Sequence, residues 1–145
     1  MINGLTVSVM AADTGGSEQC DGLRNVAYEN ADIFLYGFSV DNPSSLHTII
    51  NKYTTETQMF SPHAPRMLIG LKTDLRRSST RLLQNISQQE APITKELAKS
   101  VAKKLNCVAY IECSSKNHEN IEQMFSLIIR TAYFSDYYRD LLKQN

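Results

Sequence analysis

At 145 residues the chain is long enough for one domain with a buried core of its own. Apolar residues make up 42% and charged residues 21%, and 15 basic residues balance 15 acidic ones, which excludes a global field for nucleic acid or membrane surfaces. No apolar run is long enough to span a bilayer and no basic-then-apolar leader is present; three scattered cysteines, Cys20, Cys107 and Cys113, fit neither a disulfide framework nor a metal site, so a reducing, cytoplasmic setting is expected.

In chain order, Leu5, Val7, Val9 and Ala11 alternate with polar residues and predict a strand, closed by a glycine-rich bend at Asp13-Thr14-Gly15-Gly16-Ser17. Ile33 to Val40 is a nearly continuous apolar run, the pattern of a strand covered on both faces. Asp41-Asn42-Pro43 starts a helix whose apolar face holds Leu46, Ile49, Ile50 and Tyr53. Strands follow at Arg66 to Leu71 and Val108 to Cys113. Between them lies an irregular Ser/Gln-rich stretch from Arg76 to Ala91, with a short helical possibility at Arg81 to Ile86. Thr94 can cap a helix carrying Leu97, Val101 and Leu105. From Ile121 a long last helix shows Phe125, Ile128, Ile129 and Ala132 on one stripe; Tyr133, Phe134, Tyr137, Tyr138, Leu141 and Leu142 extend it, either packing back on the domain or docking a partner. The alternation predicts an α/β fold, an open and mostly parallel sheet with helices on both faces.

Ligands of such sheets bind at the carboxyl ends of the strands, and three polar clusters fall there. Asp13 with Gly16 could hold magnesium through water and admit a γ-phosphate, or simply form a tight turn. Lys72-Thr73-Asp74 could lay a lysine stem along a purine and accept two guanine N–H bonds on the carboxylate, or be a solvated loop. Ser114-Ser115-Lys116 could offer a backbone amide to a guanine oxygen, or be an ordinary serine-rich loop. His47, His63 and His118 are isolated, and surface or capping roles suit them better than metal binding.

Together and in this order, the clusters resemble the G3, G4 and G5 motifs of Ras-superfamily small GTPases, and the Rho family is the nearest likeness. Cys20-Asp21-Gly22-Leu23-Arg24-Asn25-Val26-Ala27-Tyr28 is similar to the Rho pattern Tyr-Asp-x-Leu-Arg-Pro-Leu-Ser-Tyr. Ala31 to Leu35, Phe38-Ser39-Val40, and Tyr110-Ile111-Glu112-Cys113-Ser114 continue the likeness, and about 76–91 stands where Rho proteins carry their insert. The resemblance implies one Rho-type G domain over 1–145 with an extended last helix at about 120–143. It implies GTP or GDP with magnesium as ligands and Rho-type effector or regulator proteins as partners. Asp74 would read the guanine edge, Lys72 would stack on it, and Ser114, Ser115 and Lys116 would complete the base pocket. Asp13 and Gly16 would face magnesium and γ-phosphate.

The pattern departs from the family in four places. No G-x-x-x-x-G-K-[ST] phosphate loop and no switch I threonine occur, so the domain is expected to be incomplete, lacking the first strand, phosphate loop and first helix. Ser17 stands at the catalytic glutamine position, as in the GTPase-deficient Rnd branch, and is too short to orient an attacking water. Leu71 replaces the polar residue that opens G4, and no C-a-a-X cysteine or polybasic tail closes the chain, so no membrane anchor is expected. The expectations are weak guanine-nucleotide binding, absent or very weak hydrolysis, and poorly cooperative unfolding of the isolated monomer. The alternatives are a nucleotide-independent interaction module, a fragment of a longer GTPase, or an unrelated α/β binding domain.

Overall fold

The computed structural model describes residues 6–14, 21–76 and 91–143. In chain order these form α1 (Asp21–Glu29), β1 (Phe34–Ser39), α2 (Pro43–Thr48), a π-helical turn (Ile49–Tyr53) and α3 (Thr54–Phe60). There follow β2 (Arg66–Leu71), α4 (Lys95–Lys104), β3 (Ala109–Glu112) and α5 (Ile121–Lys143). The three strands lie in the order β1-β2-β3, all parallel, with Phe34 opposite Arg66 and Met67 opposite Ala109. An open parallel α/β sheet is therefore observed, as the alternation of patterns predicted.

β2 is the centre of the sheet, and Arg66 to Gly70 are buried on both faces. One face packs Phe34, Tyr36, Phe38 and Leu68 against Tyr28 of α1, Leu46 of α2 and Ala98 and Ala102 of α4. The other packs Met67, Ile69 and Cys113 against Ile128 of α5, with Met124 and Leu127 half-buried beside it. Both faces are thus covered at β2, where the hydrophobic gain is about 25 cal/mol per Å² of apolar surface withdrawn from water.

Local chemistry explains the helix starts. Proline begins α2, where its missing N–H has no helical partner to lose. Thr94 caps α4, its hydroxyl accepting from the Leu97 amide at 3.2 Å.

Three expectations need correction. Residues 6–11 of the predicted first strand are exposed and irregular, while Leu5 lies outside the described residues. Alternation specifies a face, but a strand exists only as part of a ladder, and among the described residues nothing pairs with this segment. β1 is not covered on both faces, since Leu35 is 44% exposed and Gly37 is exposed too. In α4, Leu97 is exposed while Ala98 and Ala102 take the buried positions, with Val101 and Leu105 half-buried beside them. The short helix considered at Arg81 to Ile86 lies outside the described residues. α5 does continue to Lys143, with the rings of Tyr133 and Phe134 edge-to-face at 5.8 Å.

α1 is fastened by a charged side chain. Arg24 is 1% exposed, its guanidinium lies 5.6 Å from the Tyr53 ring centre, and its Nε is 3.5 Å from Glu56 of α3. Tyr28, one turn later, donates to the same carboxylate at 3.1 Å. Burial first, and then the Glu56 carboxylate, push the Tyr28 phenol up to about 12, so it remains a donor. Arg24→Ala leaves a cavity and takes from Glu56 its buried partner; we expect a loss of about 2–4 kcal/mol by urea denaturation. Arg24→Lys should recover only part, since an ammonium lacks the planar face that lies over Tyr53.

Candidate functional site

Because β2 and β3 run parallel, their carboxyl ends open at the same margin of the sheet, and the loops that follow them meet there. At the end of β2 the chain turns through Lys72, whose φ of 59° is left-handed, and the Leu75 amide returns to the Lys72 carbonyl at 2.9 Å. The Thr73 amide donates to the Cys113 carbonyl at 3.3 Å, tying this loop to the end of β3.

Ser114 follows β3 and is fully buried. Its hydroxyl donates to Asp74 Oδ1 at 2.6 Å and accepts from the Asn117 amide at 3.2 Å. The turn from Ser114 to Glu119 is closed by two backbone bonds between its ends, at 3.1 and 2.9 Å. His118 and Asn120 supply left-handed residues there, with φ of 54° and 58°. Glu119 accepts from the Thr73 hydroxyl at 3.1 Å, and Asn120 Nδ2 donates to the Glu112 carbonyl at 2.9 Å. Lys116 Nζ lies 4.0 Å from Asp74 Oδ2, with its side chain 76% exposed against 11% for Asp74.

This arrangement presents a fixed carboxylate with acceptor capacity to spare. An ionised carboxylate accepts about four hydrogen bonds, and among the described residues the side-chain bond it accepts is that from Ser114. Two parallel N–H donors on one edge of a flat heterocycle suit what remains, and guanine has that edge. Lys72, Ser115 and Lys116 are exposed around it.

The five residues Lys72, Asp74, Ser114, Ser115 and Lys116 are thus brought together on two adjoining loops. Ser114 serves as the buried positioner of Asp74 rather than as an exposed amide donor. Asp13 is not brought to them: it is exposed in an irregular segment, and no hydrogen bond or ion pair joins it to these loops. Gly16 and Ser17 lie outside the described residues. The residues present therefore fit a guanine base, whereas the described residues gather no cluster suited to magnesium. Sequence reasoning missed the Thr73–Glu119 bond that joins the two loops and Asn120, which ties the second loop back to the end of β3; asparagine at a left-handed position was the available signal.

A second cluster secures the base of the segment read as an insert. Arg76 grips Glu112 with two bonds, at 2.9 and 2.7 Å, and its Nε donates to the Ile93 carbonyl at 3.1 Å. The Tyr110 hydroxyl also bonds Glu112. Gly70 leaves room for this group, since a Cβ there would meet Glu112 Cγ and the Tyr110 hydroxyl at 3.1 Å. Residues 77–90, most of the expected insert, lie outside the described residues.

The sequence profile of the Ras family matches residues 1–134. Among curated proteins, the GTP-binding protein rho4 of Schizosaccharomyces pombe is 37% identical over 129 residues, which cover 88% of this chain and 62% of that relative. The chain thus spans less than two thirds of the length of the curated relative it matches.

Burial pushes the Glu112 carboxyl up, but the bonds from Arg76 and Tyr110 outweigh it and hold the group below the ordinary glutamate value. A lowered folded value means that the stabilisation is present above the unfolded value of about 4.3 and is lost as pH falls through the folded one. Glu112→Gln should lower stability near neutral pH by about 1–3 kcal/mol and flatten the acid limb of the profile. Urea midpoints measured across that range check both effects.

Proposed function

The chain belongs to the Ras family and is a Rho-type small GTPase, and from that premise we propose that the Asp74 and Ser114 loops form a guanine-recognition site for GTP and GDP. The observation that carries this reading is the 2.6 Å bond from buried Ser114 to Asp74, which fixes the carboxylate at the strand ends. Asp74 accepts from the two adjacent N–H groups of the base. Lys72 lies along the ring, and a backbone amide of the Ser115-Lys116 pair faces the exocyclic guanine O6.

Binding by the 145-residue chain alone is weak. Two charge-assisted hydrogen bonds, one amide contact and a stacked lysine stem contribute in total about 4 kcal/mol, which corresponds to about 1 mM. No G-x-x-x-x-G-K-[ST] sequence occurs among these residues to cradle a triphosphate, and Ser17 occupies the place of the family's glutamine, so turnover by this chain alone is absent or very slow. Rho-type regulators and effectors are the proposed partners, and cytoplasm is the proposed location. The free thiols of Cys107 and Cys113 agree with a reducing setting, and among the described residues no helix is long and apolar enough to cross a membrane.

Calorimetric titration with GDP, GTP and ATP tests the reading. The expected result is guanine binding near the millimolar range, at least fivefold tighter than adenine binding, and lost in Asp74→Ala. Equal affinity for ATP, or guanine binding that survives Asp74→Ala, would overturn it; sub-micromolar binding would overturn its weakness.

A further inference from the structure

The sheet offers a second recognition surface, along the free edge of β3 rather than at the strand ends. Among the described residues β3 pairs with β2 alone. The Phe34 and Val40 amides bond the Pro65 and Leu71 carbonyls at the two ends of β2, and the Cys113 amide bonds the Gly70 carbonyl at 2.8 Å, so alternation turns Ala109 and Ile111 to β2 and leaves the backbone groups of Tyr110 and the Glu112 amide on the open side. Beside that edge lies an open groove of about 510 Å³, lined by Lys99, Ser100 and Lys103 of α4 and by Cys107, Ala109 and Tyr110.

The charge around this groove is one-sided. α4 carries Lys95, Lys99, Lys103 and Lys104 against Glu96 alone, in a chain whose overall charge is zero. All four lysines are exposed, and none forms an ion pair with a described residue. The inner surface is neutral by contrast. Burial raises the Cys107 thiol to about 11, and the Tyr110 hydroxyl is committed to Glu112.

We propose that this groove docks an extended acidic segment of a partner protein, which pairs as an added strand with the free edge of β3 and sets its carboxylates on Lys99 and Lys103. The spacing specifies the pattern. Lys99 and Lys103 are separated by about 6 Å along the helix axis, at 1.5 Å per residue. Alternate residues of a strand, which share a face, are separated by about 6.6 Å. A Glu-x-Glu repeat therefore matches the two lysines, whereas neighbouring glutamates point to opposite faces. A lipid surface or a nucleic acid could satisfy the lysines, but neither carries a peptide backbone to pair with Tyr110 and the Glu112 amide. That favours a peptide.

The test is fluorescence anisotropy of labelled Glu-Val-Glu-Val-Glu-Val titrated with the 145-residue chain at low and high salt. Saturable, salt-sensitive binding is expected, weakened about tenfold or more by the double variant K99E/K103E and by the isomer Glu-Glu-Glu-Val-Val-Val. Methylating alternate backbone nitrogens of the peptide should weaken binding to the unaltered chain as strongly, a readout independent of how any variant folds. Equal affinity for the two isomers, or for the methylated peptide, would refute strand addition. Binding that survives K99E/K103E, or binding to phosphatidylserine vesicles without binding to the peptide, would refute the proposal outright. None of these readouts involves nucleotide, so they stand or fall apart from the guanine site.

Discussion

The structure depends on β2 being buried along its length. A strand covered on both faces and paired on both edges has no freedom of register, and Arg66 to Leu71 is held by β1 on one side and β3 on the other. Its carboxyl end is therefore a fixed point. The Lys72 turn, the Thr73 amide bonded to Cys113 and the Asp74 carboxylate bonded to Ser114 are all placed relative to it. A slip of one residue would exchange Leu68, which packs with Tyr36 and Phe38, for Met67 or Ile69, which pack with Ile128. Core packing and site geometry are thus one constraint.

Much of this was legible in the sequence, for identifiable reasons. RMLIGL reads as a buried strand because every residue is apolar or has an apolar stem, and the structure buries the first five. Thr94 announces its helix because a hydroxyl before a run of helix formers has one good use there. The juxtaposition of the two loops was legible, since Lys72 to Asp74 and Ser114 to Lys116 each follow a strand. What could not be read was partnership. The alternation from Leu5 to Ala11 names a face without naming a neighbour, and residues 6–11 run exposed. The run from Ile33 to Val40 could not reveal that Leu35 faces outward, because an unbroken apolar pattern does not report whether a second layer is there.

Charged residues were the least legible. In sequence Arg24 is one element of a resemblance, while in the structure it is a buried anchor between α1 and α3. Arg76 sits in a stretch that reads as irregular and polar, yet its guanidinium bonds the Ile93 carbonyl 17 positions on and Glu112 36 positions on. Long side chains act at the reach of their tips, and periodicity records only where the stem begins.

The left-handed turn at Lys72 shows how the two loops are held against one another. A non-glycine residue at φ 59° costs about 1–2 kcal/mol, and it persists only where the surroundings impose it. Here they do so from both sides. On one side the Val40 amide holds the Leu71 carbonyl at 3.0 Å; on the other, the Leu75 amide holds Lys72 and the Thr73 amide holds Cys113. A relaxed extended residue at this position would carry the chain past the end of β3. The turn instead brings Asp74 back against Ser114 within three residues of the strand, where burial of the Ser114 hydroxyl makes its bond to the carboxylate hard to exchange for water. The strain thus lies in the residue proposed to lie along the base, and it is balanced by the same bonds that aim the carboxylate.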